Sequence, residues 1–177
     1  KSDSAISLYS KACIIYQREM KYENAAMCFE EVASIKERQG EDAYSEYQEA
    51  AYYYSFSNFE KTKELAQKCC RNYEDKGQFH KSGDVYENLA KHFEKEKDYK
   101  SAVGLYDKAA KSYSLMLSGY KSKEKNCLLK SFDLSCIHEI GDWRDISEGY
   151  TLIGKEYLIE PMLKYSAKDL FFKVVCL

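Results

Sequence analysis

The sequence predicts an all-α protein assembled from stacked helical hairpins, and three observations carry that prediction. The first is periodicity. Within residues 99–113, YKSAVGLYDKAAKSY, the residues Tyr99, Ala102, Val103, Tyr106, Ala109, Ala110 and Tyr113 fall at offsets of 0, 3, 4, 7, 10, 11 and 14. That spacing is one face of an α-helix, with lysines, Ser101 and Asp107 left for the other side. The second is recurrence. The template returns at Phe79, Gly83, Tyr86, Leu89, Ala90 and Phe93, and at Trp143, Ile146, Tyr150, Ile153, Gly154 and Tyr157. Looser copies run through Tyr22, Ala25, Ala26, Phe29, Val32 and Ala33, and through Phe59, Ala66, Cys69, Cys70 and Tyr73. Taking every second helix, the anchors Tyr22, Phe59, Tyr99 and Trp143 are separated by 37, 40 and 44 residues. A period of about 40 residues with two helices in each marks a helical repeat array. The third is punctuation: one proline, Pro161, and eight glycines leave little to interrupt helices, and no segment alternates persistently enough to be a strand. The expected architecture is a right-handed α-α superhelix, a TPR-like helical-hairpin solenoid of about nine helices, forming a single domain over residues 1–177.

The first helix is placed from near Ser4, with Ala5, Leu8, Ala12, Ile15 and Tyr16 on its apolar stripe. A turn at Met20 and Lys21 leads to the second, from Tyr22 to about Arg38, ended by Gly40. The third spans about Glu41 to Tyr54 and buries Ala43, Tyr47, Ala50, Ala51 and Tyr54. Ser57 is the expected N-cap of the fourth and Gly77 its stop. The fifth covers about Phe79 to Glu94, followed by a solvated EKEKD turn. Asp98 opens the sixth, which runs to about Leu117 and a connector around Gly119. The seventh, about Lys121 to Glu139, ends at Gly141, and Asp142 caps the eighth, which lasts to about Leu158. Pro161 fits the first turn of the ninth, where its missing N–H is no loss. Small residues at template offsets 3, 4, 10 and 11 leave gaps for neighbouring aromatics, and burying each aromatic is worth roughly 1.5–3 kcal/mol.

Composition narrows the function. At 177 residues the chain can hold one continuous core. With 32% charged residues and a net charge of -2 it lacks the basic footprint of a nucleic-acid binder. Seventeen tyrosines are read mainly as packing residues whose hydroxyls reach an edge. No apolar stretch approaches the roughly 20 residues that a bilayer crossing needs, and no signal peptide is recognised. A start at Lys1 and an end at Leu177 within a helical pattern are the expectation for a fragment. The seven cysteines (13, 28, 69, 70, 127, 136 and 176) make no CxxC pair and no even disulfide framework. They are expected as small hydrophobes in a reducing, cytoplasmic compartment.

Catalysis finds little support. His80, His92 and His138 are scattered, with no HExxH spacing, and are expected at the surface or boundary. No glycine-rich phosphate loop exists, Gly83 and Gly104 being read as packing contacts inside helices. No cysteine has a nucleophile signature, so neither an enzyme nor a cofactor nor a metal is expected. Function should then lie in a surface. Lys164 and Lys168 are four apart, stacking two like charges at a cost of roughly 0.2–0.5 kcal/mol. Lys121, Lys123, Lys125 and Lys130 crowd the seventh helix. Helices seven and nine are corresponding members of adjacent repeats, so these lysines either merge into a basic strip suited to an acidic partner or are ordinary solvated side chains.

Residues 161–173, PMLKYSAKDLFFK, resemble a hallmark stretch of the soluble N-ethylmaleimide-sensitive factor attachment proteins (SNAPs), nearest the alpha type, where a PLLKYSAKDYFFK run occurs. NCLLK at residues 126–130 resembles the family's NKCLLK, and AISLYSKA at residues 5–12 its first-repeat pattern. The resemblance spans nearly the whole chain. It implies an adaptor that lies along the assembled four-helix SNARE bundle and recruits an NSF-type hexameric ATPase for disassembly in vesicular transport, in the cytoplasm and peripherally on vesicle and target membranes. The SNARE-binding residues it implies, with the lysines beside them, are Lys21, Lys123, Lys125, Lys130, Met162, Lys164 and Lys168. Gln78 and Asp84 stand where the family has basic residues, and Asn126 where it has a lysine. In the family an apolar membrane-touching loop precedes the first repeat, and the ATPase-stimulating element is a C-terminal bundle. Neither is expected within these residues, which are therefore expected to bind weakly and not to stimulate disassembly alone. The competing reading, from the repeat period only, is a generic peptide-binding scaffold.

Overall fold

The computed structural model describes residues 2–116 and 119–176. Among the described residues nine α-helices follow one another: α1 (Ser2–Arg18), α2 (Tyr22–Arg38), α3 (Tyr44–Tyr54), α4 (Phe59–Asp75), α5 (Phe79–Lys95), α6 (Tyr99–Ser114), α7 (Lys121–Ile137), α8 (Trp143–Ile159) and α9 (Lys164–Cys176). A 3₁₀ turn, Pro161–Leu163, precedes α9, and no strand occurs among the described residues. The chain divides into two compact units, residues 1–85 and 86–177, the division falling within α5. In the first unit α1, α2, α3 and α4 pack in succession, and in the second α6 to α9 do the same.

The predicted stripes are the cores of these units. Ala102, Val103, Tyr106, Ala109, Ala110 and Tyr113 are all buried along α6, as are Ala43, Tyr47, Ala50, Ala51 and Tyr54 at α3. On α8 the stripe Ile146, Tyr150, Ile153 and Tyr157 closes over Ala167 and Leu170 of α9. Two glycines set how closely neighbours approach here: a Cβ on Gly149 would lie 2.3 Å from the Phe132 ring, and one on Gly154 would lie 3.0 Å from the Phe171 ring. Gly104 differs from expectation, because a Cβ there would meet nothing within 4 Å. It sits on the outer side of α6, opposite the stripe.

Other departures have physical causes. Leu8 and Ile15 are exposed and Cys13 is the buried residue of α1, because α1 packs chiefly against α2 and only one strip of its girth is covered. The anchors Phe59 and Trp143 are exposed because each is the first residue of its helix, where a side chain reaches past the rim of its neighbour. Arg144 lies over the Trp143 ring, 5.4 Å from its centroid. Helix α3 begins at Tyr44 rather than Glu41, and Asn58 rather than Ser57 caps α4, its side chain accepting from the Lys61 amide. Asp98 and Asp142 cap α6 and α8 as expected. Helix α7 stops at Ile137 because Glu139 takes a left-handed φ of 53°. The predicted end of α6 at Leu117 lies outside the described residues; the helix is seen to Ser114. His92 is buried beside Phe93, contrary to the expected surface placement, while His138 is exposed with its ring stacked 3.5 Å from that of Tyr99.

A repeated polar triad joins the layers. In the first unit an acid on α2 accepts from a tyrosine on α3 and pairs with a lysine on α4. Glu30 does so with Tyr54 at 2.9 Å and Lys61 at 2.9 Å; Glu37 does so with Tyr47 at 2.8 Å and Lys68 at 2.9 Å. Each residue type recurs after seven positions, two helical turns, so both rungs fall on one seam. The second unit repeats the device between α5, α6 and α7. Glu94 accepts from Tyr106 at 2.7 Å and pairs with Lys130 at 3.3 Å. Glu87 accepts from Tyr113 at 2.8 Å, with Lys123 lying 5.2 Å from the Tyr113 ring centroid. Burial works against the Glu87 charge, yet Lys91, Tyr113 and Lys123 hold its carboxyl below the ordinary range. Between α7, α8 and α9 one rung survives: Asp133 accepts from Tyr150 and pairs with Lys173. Seven residues earlier the rung would need an acid at Asn126 and a lysine at Ser166, and it is absent.

Candidate functional site

The ladder sorts the lysines that the sequence singles out. Lys21 lies in the first unit, in the turn between α1 and α2, where it is exposed and pairs with Glu19 at 2.8 Å. The hydrogen bond it donates to the Glu19 carboxylate raises its pKa. The other six candidates lie in the second unit.

Lys123 and Lys130 are on the α7 seam. Lys123 sits over the Tyr113 and Tyr120 rings, and Lys130 directs its ammonium at Glu94 on α5. The Lys130 side chain is nevertheless 56% exposed. An exposed pair contributes at most about 1 kcal/mol, so it can exchange partners at little cost. Lys125 is differently placed, with only 13% of its side chain exposed and pairs to Glu156 at 2.9 Å and Glu160 at 3.9 Å. It also lies 5.0 Å from the Tyr157 ring centroid. Burial alone would lower its pKa, but Glu156 raises it overall. Lys125 thus fastens α7 to α8.

Lys164 and Lys168 are off the seam. The register fixed by Lys173 and Asp133 puts a lysine of α9 opposite an acid of α7 only at the ladder positions, and these two flank Ser166 instead. Both are exposed and make no ion pair among the described residues. Met162, in the 3₁₀ turn just before them, is 94% exposed. The structure adds a residue that the sequence reading missed: Tyr165, 86% exposed between the two lysines. Its signal in the sequence was that it falls outside the Ala167, Leu170, Phe171 and Val174 stripe that faces α8 and α7. The arrangement offers two unpaired cations beside two unburied apolar side chains at one helix start, a surface able to take carboxylates and an apolar ridge together.

Along the parallel axes of α7 and α9, Lys130 stands level with Leu170 and so within about a turn of Lys168. Their bonding differs, since Lys130 already has a carboxylate and Lys168 has none. Among the described residues no group of His, Cys, Asp and Glu side chains could hold a metal ion, and no helix is long and apolar enough to cross a membrane.

A geometry of this kind defines a helical-hairpin repeat protein. The family follows from comparison of the whole chain: it matches the family model described as soluble NSF attachment protein, SNAP, over residues 1–177. The chain belongs to that family. It is also 30% identical over 176 residues to the vesicular-fusion protein SEC17 of Komagataella phaffii (strain GS115 / ATCC 20864), a match covering 98% of this chain and 59% of that protein. The chain therefore spans about three-fifths of the length of this relative. Among solved structures, BtubC (BKLC) from P. vanneervenii aligns with a TM-score of 0.34 at 12% identity, over 99% of this chain and 91% of that one.

Proposed function

We propose that this chain is the repeat portion of an adaptor for vesicular fusion, which lays the start of α9 on the acidic surface of an assembled SNARE four-helix bundle and serves an NSF-type ATPase. The observation that carries the reading is the unpaired Lys164 and Lys168 beside exposed Met162 and Tyr165, in a chain whose entire length matches the SNAP family. Lys130, Lys123 and Lys21 add exposed positive charge that is already shared with internal partners, and Lys125 contributes least because it is buried between carboxylates. The ATPase and membrane contacts are assigned chiefly to regions of the family outside these repeats. The site of action is the cytoplasmic face of transport membranes.

The test is binding to an assembled SNARE bundle across a salt series. Exposed charges are screened beyond about 10 Å at 0.1 M salt, so binding should weaken steadily as salt rises. Lys164→Glu with Lys168→Glu should abolish it, while Lys155→Glu, an exposed charge on α8, should leave most of it. Binding indifferent to both salt and the paired reversal overturns the reading. Tight capture of short peptides with none of the bundle would favour the peptide-binding scaffold instead.

A further inference from the structure

Three carboxylates of α2 and α3 are neutralised by lysines: Glu46 takes Lys36, Glu30 takes Lys61 and Glu37 takes Lys68. Glu49 of α3 is not. It makes no hydrogen bond or ion pair among the described residues. Solvent reaches the residue, yet partial burial of its carboxyl raises the pKa, and the like charge of Glu46 raises it further. A cation delivered there would offset both effects.

Rings share its face. Glu49, Tyr52, Tyr53 and Phe56 have the i, i+3, i+4, i+7 spacing of one side of a helix, Phe56 lying in the turn that continues α3. Phe56 and Tyr53 stack against Tyr22 and Phe29 of α2, with centroids 4.2 and 5.6 Å apart and interplanar angles of 24° and 3°. Tyr52 stands nearly perpendicular to this layer, at 79° to Tyr53 and 88° to Phe56, with centroids 5.3 and 5.6 Å away. Tyr52 is 38% exposed and Phe56 36%. The rings make two walls at right angles, and Glu49 lies one helical turn before them.

We propose that this face of α3 is a docking site for an arginine side chain of a partner polypeptide. The guanidinium is planar, so it lies on an exposed ring by cation–π attraction while its N–H groups donate to the Glu49 carboxylate. Charge complementarity selects this occupant. An apolar side chain would cover Glu49 and leave its charge unpaired away from water, and an acidic one would be repelled by both Glu49 and Glu46. A lysine ammonium is a compact, strongly hydrated point charge that spans ring and carboxylate less well. The site uses none of the α9 lysines, so its test is independent of theirs.

The experiment titrates the full chain against a labelled glycine–serine peptide carrying two arginines, followed by fluorescence anisotropy. The same peptide with citrulline or with lysine in place of arginine is run alongside. The arginine peptide should bind, and citrulline, which keeps the shape and loses the charge, should bind about tenfold more weakly. Glu49→Gln should weaken the arginine peptide by about the same factor and Tyr52→Leu by about threefold. Glu64→Gln, at an exposed carboxylate on α4, should leave its affinity unchanged. A melting curve of each variant checks that it is folded at the titration temperature. The proposal is overturned if the arginine peptide does not bind, if the citrulline or lysine peptide binds as tightly, or if Glu49→Gln leaves the affinity intact.

Discussion

Replacing Tyr106 by Phe removes one oxygen from a side chain that is only 2% exposed and leaves its ring volume in place. The lost interaction is the 2.7 Å hydrogen bond to Glu94, whose other partner, Lys130, stands at 3.3 Å. Hydrogen bonds to charged groups contribute about 1.5–3 kcal/mol. Glu94 keeps 28% of its side chain in water, so solvent can satisfy the vacated lone pair and the loss falls near the lower end, about 1.5 kcal/mol. For a chain of this length that corresponds to a melting temperature lower by roughly 3–6 °C. The assay is urea unfolding of Tyr106→Phe, Glu94→Gln and the double variant, with Lys130→Met as the companion to the exposed arm of the triad. The cycle isolates the tyrosine–carboxylate term, expected at about 1 kcal/mol or more of coupling, whereas Lys130→Met should cost under about 1 kcal/mol. A Tyr106→Phe chain within about 0.5 kcal/mol of the parent, or one whose loss is undiminished in the Glu94→Gln background, would refute the ladder as a source of stability.

Two glycines make an internal control. Gly104→Ala adds a methyl to open space inside α6 and should stabilise by about 0.5–1 kcal/mol, while Gly149→Ala puts a Cβ 2.3 Å from Phe132 Cζ and should destabilise by about 1–3 kcal/mol despite the same gain in helix propensity. Differential calorimetry of both variants reads the opposite signs. Lys97 holds a φ of 64°, and Lys97→Gly should raise the urea midpoint by relieving about 1 kcal/mol of left-handed strain. Burial first, then the acids Glu30 and Glu94, push the Tyr54 and Tyr106 phenols above their ordinary 10.0. The folded chain therefore retains these protons after the unfolded chain has lost its own. The stability they contribute is complete below about pH 10 and is lost as pH rises through their folded values, which phenolate absorbance followed alongside unfolding should show. On the acid side Glu37, held below 4.5 by Lys68 and then Tyr47, contributes stability that disappears as pH falls through its folded value, visible as a falling melting temperature in that window.

The stripes were legible because a helix writes its buried face into neighbouring positions of one segment. Tyr106 and Tyr113 needed no partner to be recognised as core. The ladder was not legible, because its acids and lysines lie 31, 36 or 40 residues apart and its members sit on three helices, and only their pairing gives them meaning. Its trace was nevertheless present in the seven-residue spacing of Glu30 with Glu37, Tyr47 with Tyr54 and Lys61 with Lys68. Boundaries failed where neighbouring residues share a chemistry. Ser57 and Asn58 can both cap a helix, and only the chain path selects the second. At the candidate site the i, i+4 spacing of Lys164 and Lys168 was readable, whereas the burial of Lys125 depends on Glu156 and Glu160, which belong to another helix.

The same register that builds the fold separates structural lysines from available ones. A lysine placed one ladder step along α4 or α7 meets a carboxylate two helices back, and Lys61, Lys68 and Lys130 are all neutralised in this way. On α9 only Lys173 keeps that position, because Asn126 supplies no acid and Ser166 no cation for the second rung. Lys164 and Lys168 lie two residues to either side of the vacant step, about 200° around the helix from it in each direction. Their charge is thereby turned away from α7 and left without an internal partner. Two like charges four residues apart repel by roughly 0.2–0.5 kcal/mol, a cost the fold does not offset. The missing rung and the unpaired lysines are thus one feature: where the ladder stops neutralising charge, the chain leaves it exposed to solvent.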